Sequence, residues 1–140
     1  MISTNLQELE RNGYYYSSPS GNSMEPLFFH KQNVVRIEKA VHPLHKYDLT
    51  LHVKSDGTSV LHRVVKVDNS NVYTIRGDNC IKSEYVYSDQ IIGIVTQFYR
   101  NGRWVSVRNW KYLLYVHIWC GLFPLRRILK VLRGRISKSI

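Results

Sequence analysis

The sequence predicts a mainly β fold: a small antiparallel, partly closed sheet with a short N-terminal helix and a C-terminal apolar and basic helix. β-Branched residues and ten tyrosines occur through the middle of the chain and favour strands. Short apolar runs alternate with tight turns such as Asp56-Gly57 and Asn101-Gly102, a pattern typical of hairpins. The 140 residues suit one domain with a real core.

The first elements lie before a turn. Residues 3–12 are predicted to form a helix that ends at Gly13, and residues 14–18 a first strand. Residues 19–22 combine Pro, Ser, Gly and Asn and predict a turn.

The remaining strands are predicted after Pro26. The residue types alternate most clearly in residues 34–38. Further strands are predicted at 49–53, 60–67, 72–76, 90–99 and 104–107, with a turn over residues 68–71.

The charge divides the chain into a domain and a tail. The formal net charge is +10, and residues 100–140 hold ten Lys or Arg and no Asp or Glu. A basic excess favours an anionic partner. We therefore predict a catalytic domain over residues 1–108 and a tail over residues 109–140.

The tail predicts contact with a membrane surface. Residues 112–125 are mainly apolar, yet shorter than the roughly 20 residues that span a bilayer. The basic residues that follow suit anionic headgroups, which indicates an interfacial anchor. The alternative is a helix packed on the core with a solvated basic end. The two cysteines need not pair, and together with the polar N-terminus this favours the cytoplasmic face.

The candidate nucleophile is Ser23. It follows Gly21 and Asn22, where the backbone can turn tightly, and Pro26 fixes the exit of the chain. A serine is a poor nucleophile without a neighbouring base, so this run alone is also compatible with an ordinary turn.

The candidate base is His62, within the predicted strand at 60–67. Most strand histidines are structural, but histidine is the usual general base near neutral pH. Asp78, after Gly77, could orient its imidazole, although Gly-Asp-Asn is also ordinary turn chemistry. His42 and His45 are separated by Pro43 and lack further ligands, so neither a metal nor a cofactor is predicted.

Taken together, these pieces resemble the type I signal peptidase family and the wider superfamily of LexA-like self-cleaving repressors. The resemblance covers about residues 13–105. The matching motifs are Ser20-Gly21-Asn22-Ser23-Met24-Glu25-Pro26, Tyr47-Asp48-Leu49-Thr50-Leu51, His62-Arg63-Val64, Gly77-Asp78-Asn79 and Ile91-Ile92-Gly93-Ile94-Val95.

The resemblance implies a serine endopeptidase that removes a signal or leader peptide, with Ser23 as nucleophile and His62 as base. A histidine at this position is similar to the archaeal and endoplasmic-reticulum type, whereas bacterial and LexA-like members carry lysine. That type has a second acid about six residues after the Gly-Asp-Asn motif, which corresponds to Glu84. Whether Asp78 or Glu84 supports His62 stays open.

The resemblance also implies how the rest of the site works. Met24, Pro26, Arg63, Gly77 and Asn79 would shape it. Gly21 replaces a family hydroxyl that binds the oxyanion, which leaves the Ser23 N–H with help from Ser20. One lost donor typically costs about 3 kcal/mol of transition-state stabilisation. The precursor would bind as an added strand with small residues before the cut.

Two alternatives stay open. A LexA-like self-cleaving regulatory domain would be expected to carry lysine at position 62. A non-enzymatic nucleic-acid-binding module needs basic and aromatic residues interleaved on a sheet face, whereas the net charge lies in the tail, so no specific nucleic acid is expected.

Overall fold

A computed structural model describes residues 2–69 and 71–139, and the side chains of residues 6–69 and 71–135. The chain forms one antiparallel sheet with a helix at its start and two helices at its end. Ser70, in one predicted turn, lies outside the described residues. The elements are α1 (Ile2–Asn12), β1 (Tyr14–Ser17), β2 (Val34–Lys39), β3 (Leu49–Val53), β4 (Ser59–Asn69), β5 (Val72–Arg76), β6 (Glu84–Tyr87), β7 (Ile91–Arg100), β8 (Arg103–Ser106), α2 (Trp110–Gly121) and α3 (Phe123–Ser139).

The sheet is antiparallel, as predicted, but it is open. Its strand order is β1-β2-β7-β3-β4-β5-β6, with β8 paired to the second half of β7. The prediction of partial closure is therefore wrong. β1 and β6 stand at opposite ends of the strand order and do not pair with each other, and tight hairpins join only β3 to β4 and β4 to β5 along it.

Two clusters of buried side chains form the core. The larger one joins the sheet to α1, to the segment after Ser23 and to α2, through Leu9, Met24, Leu27, Phe28, Tyr112 and Val116 among others. The smaller one lies around β4, β5 and β6 and includes Leu44, Val64, Tyr73, Ile75, Val86 and Ile91. Burial of such side chains stabilises a fold by about 1.5–3 kcal/mol each.

The C-terminal region forms two helices, whereas the sequence predicted one. α2 ends at Gly121, and α3 begins at Phe123 with Pro124 in its first turn. Proline is tolerated there because the first N–H groups of a helix have no partner within the helix, but it interrupts a continuous helix. Asn109 caps α2 by accepting from the N–H groups of Lys111 and Tyr112.

α2 packs one face on the domain and leaves the other exposed. Tyr112 and Val116 are buried, and the Tyr112 ring contacts Phe98 edge to face with centroids 5.2 Å apart. Trp110, Leu114 and Ile118 are exposed on the opposite side. Neither α2 nor α3, within the described residues, has the length and apolar character to cross a bilayer.

Candidate active site

Ser23 lies in the turn region between β1 and β2, half-buried, directly before a segment anchored in the core. Met24, Leu27 and Phe28 are buried in the larger cluster and fix this segment. Gly21 has φ +80°, a left-handed conformation that favours glycine. Among the described residues, no protein group accepts a hydrogen bond from the Ser23 N–H, which leaves this donor available for an oxyanion.

The Gly77-Asp78-Asn79 segment holds the Ser23 loop through direct hydrogen bonds. The Asn79 N–H donates to the Ser23 carbonyl oxygen at 2.9 Å, and the Asn79 side-chain amide donates to the Asn22 carbonyl oxygen at 3.0 Å. The Asp78 N–H reaches the Met24 sulfur at 3.4 Å. The motif therefore positions the candidate nucleophile through its backbone and through Asn79.

Gly77 lies against both the backbone carbonyl group of Ser23 and the imidazole of His62. A Cβ atom at this glycine would lie 2.6 Å from the Ser23 carbonyl oxygen and 3.0 Å from His62 Nε2. Real Cβ atoms do not approach backbone so closely, so a side chain here would push the two residues apart. Glycine at position 77 is a steric requirement of the site.

His62 lies on β4 opposite Thr50 of β3, with Nε2 toward Gly77 and Nδ1 toward Glu84. Its Nδ1 is 3.6 Å from Glu84 Oε1, longer than an ordinary hydrogen bond, so the contact in this state is mainly electrostatic. Burial lowers the pKa of His62 below its ordinary value; nearby His52 adds to the decrease and Glu84 opposes it. The imidazole is therefore neutral near pH 7 and able to accept a proton.

Asp78 pairs with Arg63 rather than with His62. Arg63 Nε donates to Asp78 Oδ1 at 2.8 Å and Nη2 to Oδ2 at 2.9 Å, in a bidentate pair with both side chains buried. Tyr115 donates its hydroxyl to Asp78 Oδ2 at 2.9 Å. Of the two acids left open by the sequence, the structure thus brings Glu84 to His62 and engages Asp78 elsewhere.

α2 and α3 complete the surroundings of the Gly-Asp-Asn motif. Trp119 Nε1 donates to the Asp78 carbonyl oxygen at 2.9 Å, and Arg126 Nη1 donates to the same oxygen at 3.2 Å. Lys130 donates to the Asn79 carbonyl oxygen. Basic side chains of α3 thus face the domain, next to the segment that holds Ser23.

A groove of about 230 Å³ opens beside Ser23. One side is formed by the end of β1 and the chain after it, and the other by the start of β4. Buried apolar side chains of β2 and β3 form part of its lining. The predicted site residues Ser20, Gly21, Ser23 and Met24 line this groove. The other predicted site residues lie outside its lining: Pro26, His62, Arg63, Gly77, Asp78, Asn79 and Glu84.

Sequence reasoning did not single out His52, which the structure places beside Glu84 and His62. Its Nε2 lies 3.1 Å from Glu84 Oε1, the same oxygen that faces His62. The register of the β3–β4 hairpin, which turns at Asp56-Gly57, is enough to predict that His52 lies near His62. Because Thr50 pairs with His62, His52 lies two residues away on the same face and diagonal to His62.

Within the described part of the chain, no group of three or more His, Cys, Asp or Glu is arranged to hold a metal ion. Cys80 and Cys120 are both unpaired and half-buried. Comparisons with protein-family models, with curated proteins and with solved structures found no match in any of the three.

Proposed function

We propose that this protein is a serine endopeptidase of the signal-peptidase type, which cleaves a signal or leader peptide from a precursor. The observation that carries the proposal is that the Ser23 carbonyl oxygen and His62 Nε2 both approach Gly77, with Glu84 on the far nitrogen of the imidazole. Acyl transfer by a serine requires a nucleophile, a base that takes its proton, and an acid on the far side of that base.

In the proposed reaction, Ser23 Oγ attacks the scissile carbonyl carbon while His62 Nε2 takes the hydroxyl proton. Glu84 stabilises the imidazolium that forms, and the free N–H of Ser23 donates to the oxyanion. Collapse of the tetrahedral intermediate expels the amine, which receives the proton from His62. His62 then activates a water molecule that hydrolyses the acyl-enzyme and releases Ser23.

The groove supports an extended peptide as the substrate. Ser17 at the end of β1, Ser18 directly after it and Ser59 at the start of β4 offer small polar side chains and backbone groups along its sides. An extended chain can pair with strand edges through its main chain, while pockets select its side chains. A volume of about 230 Å³ suits small residues near the cut.

The direct test is mass spectrometry of precursor peptides incubated with the wild type, Ser23→Ala and His62→Ala. We expect one defined cut by the wild type and none by either variant, with both variants folded by circular dichroism. Full cleavage by Ser23→Ala would overturn the proposal. Cleavage of the protein itself, without added precursor, would instead favour a self-cleaving regulatory domain.

The exposed faces of α2 and α3 support a membrane surface as the partner of the tail. Large apolar side chains point to solvent along both helices, although basic side chains of α3 contact the domain. An amphipathic helix with this apolar face, flanked by further Lys and Arg, suits an anionic lipid interface. The exposed apolar residues are Trp110, Leu113, Leu114, Ile118, Leu122, Leu125, Ile128, Leu129, Val131 and Leu132.

Flotation with phosphatidylcholine vesicles, with and without phosphatidylglycerol, tests this partner. We expect binding that increases with the anionic lipid and falls when Leu125 and Leu132 are both changed to serine. Val41→Ser is the matched control, because Val41 is 79% exposed and lies outside the helices. Equal binding by the double variant would exclude the helix face as the contact.

One observation favours a nucleic-acid-binding function as a second candidate. Tyr14, Tyr16 and Trp104 are exposed on one sheet face with their rings in contact, and the Arg36 guanidinium lies 4.1 Å from the centre of the Tyr14 ring. Aromatic and basic side chains together can stack unpaired bases. Salt-dependent oligonucleotide binding that is lost in Trp104→Ala would support this function.

A further inference from the structure

His52 and His62 face the same oxygen of Glu84 from two neighbouring strands. His52 Nε2 lies 3.1 Å from Glu84 Oε1, and His62 Nδ1 lies 3.6 Å from it. His52 is 1% exposed, whereas the Glu84 side chain is 36% exposed. A buried imidazole thus contacts a carboxylate that is partly exposed.

The hydrogen-bonding pattern defines the protonation of His52. A carboxylate only accepts hydrogen bonds, so the Nε2 of His52 carries the proton that it donates. Nδ1 of His52 is buried and has no hydrogen-bond partner within the described residues. Burial also lowers the pKa of His52, and Glu84 opposes this decrease. His52 is therefore a neutral imidazole whose single donor points at Glu84.

Glu84 requires such support because of its place in the fold. It is the first residue of β6, a four-residue strand at the end of the sheet that pairs with β5 only. Fixing a long glutamate side chain costs rotamer entropy of about 1.5–2 kcal/mol. Glu84 and Lys54, which follows β3, are the charged groups that act on both imidazoles, and His52 also acts on His62.

We propose that His52 is a positioning residue of the active site, which holds Glu84 against Nδ1 of His62 through the hydrogen bond from its Nε2. This inference rests on the proposed peptidase function. A fixed Glu84 keeps the proton of neutral His62 on Nδ1, so Nε2 is free to accept the proton of Ser23. His52 itself touches neither the nucleophile nor the substrate.

The first test compares His52→Leu, which removes the donor, with His52→Gln, whose amide nitrogen can replace Nε2. We expect His52→Leu to lower kcat about 10- to 100-fold with little change in KM, the size expected for a lost hydrogen bond to a charged group. His52→Gln should restore most of the rate. Equal activity of His52→Leu and the wild type, or equal loss in both variants, would overturn the proposal.

The second test needs no activity and no variant. Nitrogen-15 NMR of the histidine rings at pH 7.5 should show His52 protonated on Nε2 only and His62 protonated on Nδ1 only. The opposite tautomer at either ring would overturn the proposal even if peptides are cleaved. If the tautomers are as expected but Ser23→Ala cleaves as fast as the wild type, the peptidase function fails and the histidine–glutamate arrangement stands.

Discussion

Arg63 and Asp78 form a buried, bidentate ion pair directly beside the loop that carries Ser23, with N–O distances of 2.8 and 2.9 Å. Two tyrosines of α2 contact the pair. Arg63 donates to the Tyr112 hydroxyl, and the Tyr115 hydroxyl donates to Asp78. Desolvation of such charges is offset only while both partners are present. The pair therefore links the sheet, the Gly-Asp-Asn motif and α2 in one buried network.

Changing Asp78 to asparagine should destabilise the protein strongly. The buried Arg63 charge would lose its compensation, and removal of one partner of a buried pair typically costs about 3–5 kcal/mol. Urea unfolding measures the loss, and Asp89→Asn is the control because Asp89 is exposed. If Asp78→Asn were as stable as the wild type and inactive, Asp78 would have a chemical role instead.

Gly77→Ala should abolish activity. The new methyl group would collide with the Ser23 carbonyl oxygen and press on His62 Nε2, at 2.6 and 3.0 Å. The matched control is Gly121→Ala, since a Cβ there meets nothing within 4 Å. Peptide cleavage and thermal unfolding of both variants test the point. Wild-type activity in Gly77→Ala would show that Ser23 and His62 are not held together at this glycine.

Activity should fall as the pH is lowered, because His62 must be neutral to accept a proton. Burial holds its pKa below the ordinary value of 6.5, so kcat/KM should be near its maximum at pH 7 and half-maximal below pH 6.5. A profile that stays flat down to pH 5 would point to a different base.

Protonation of His52 and His62 should also lower the free energy of unfolding. The pKa values of His52 and His62 are lower in the folded state than the ordinary value of 6.5, so the unfolded chain binds more protons as the pH falls below 6.5. Their stabilising contribution is complete above pH 6.5 and is lost as the pH falls toward their folded-state values. Urea midpoints of the wild type and His62→Gln between pH 7.5 and 5 measure this, and we expect a shallower pH dependence in the variant.

Trp119→Phe should lower activity although Trp119 lies outside the groove. The change removes the hydrogen bond to the Asp78 carbonyl oxygen but keeps an aromatic ring beside Tyr115. We expect faster hydrogen exchange at the Asn79 N–H, which donates to the Ser23 carbonyl oxygen. Trp110→Phe is the control because Trp110 is 68% exposed. Unchanged hydrogen exchange at the Asn79 N–H would show that Trp119 of α2 does not stabilise the Ser23 loop.

Much of the fold follows from local patterns. Tight turns at Asp56-Gly57 and Asn101-Gly102 and short alternating runs predicted strands that overlap β1 to β5, β7 and β8. β6 was missed because its four residues, Glu-Tyr-Val-Tyr, are too few to establish an alternation after the Gly-Asp-Asn turn. The open sheet could not be predicted, since closure depends on how distant strands twist and pair.

The site shows the same division between local and distant contacts. Motif spacing selected Ser23, His62 and Glu84, which the fold brings near one another around Gly77 and His62. The partner of Asp78 could not be predicted, because a buried pair with Arg63 depends on the packing of α2 over both residues. His52 could have been predicted from the hairpin register alone.

The most direct measurement is peptide mapping of the protein after reaction with an activated ester of a short peptide that ends in alanine. A serine mechanism predicts one acyl group on Ser23, absent in Ser23→Ala and formed far more slowly in His62→Ala. Cys80 is an internal control, because its half-buried thiol also lies beside Gly77. Acylation of Cys80 or of a lysine at the same rate in the wild type and in Ser23→Ala, with Ser23 unmodified, would contradict Ser23 as the nucleophile.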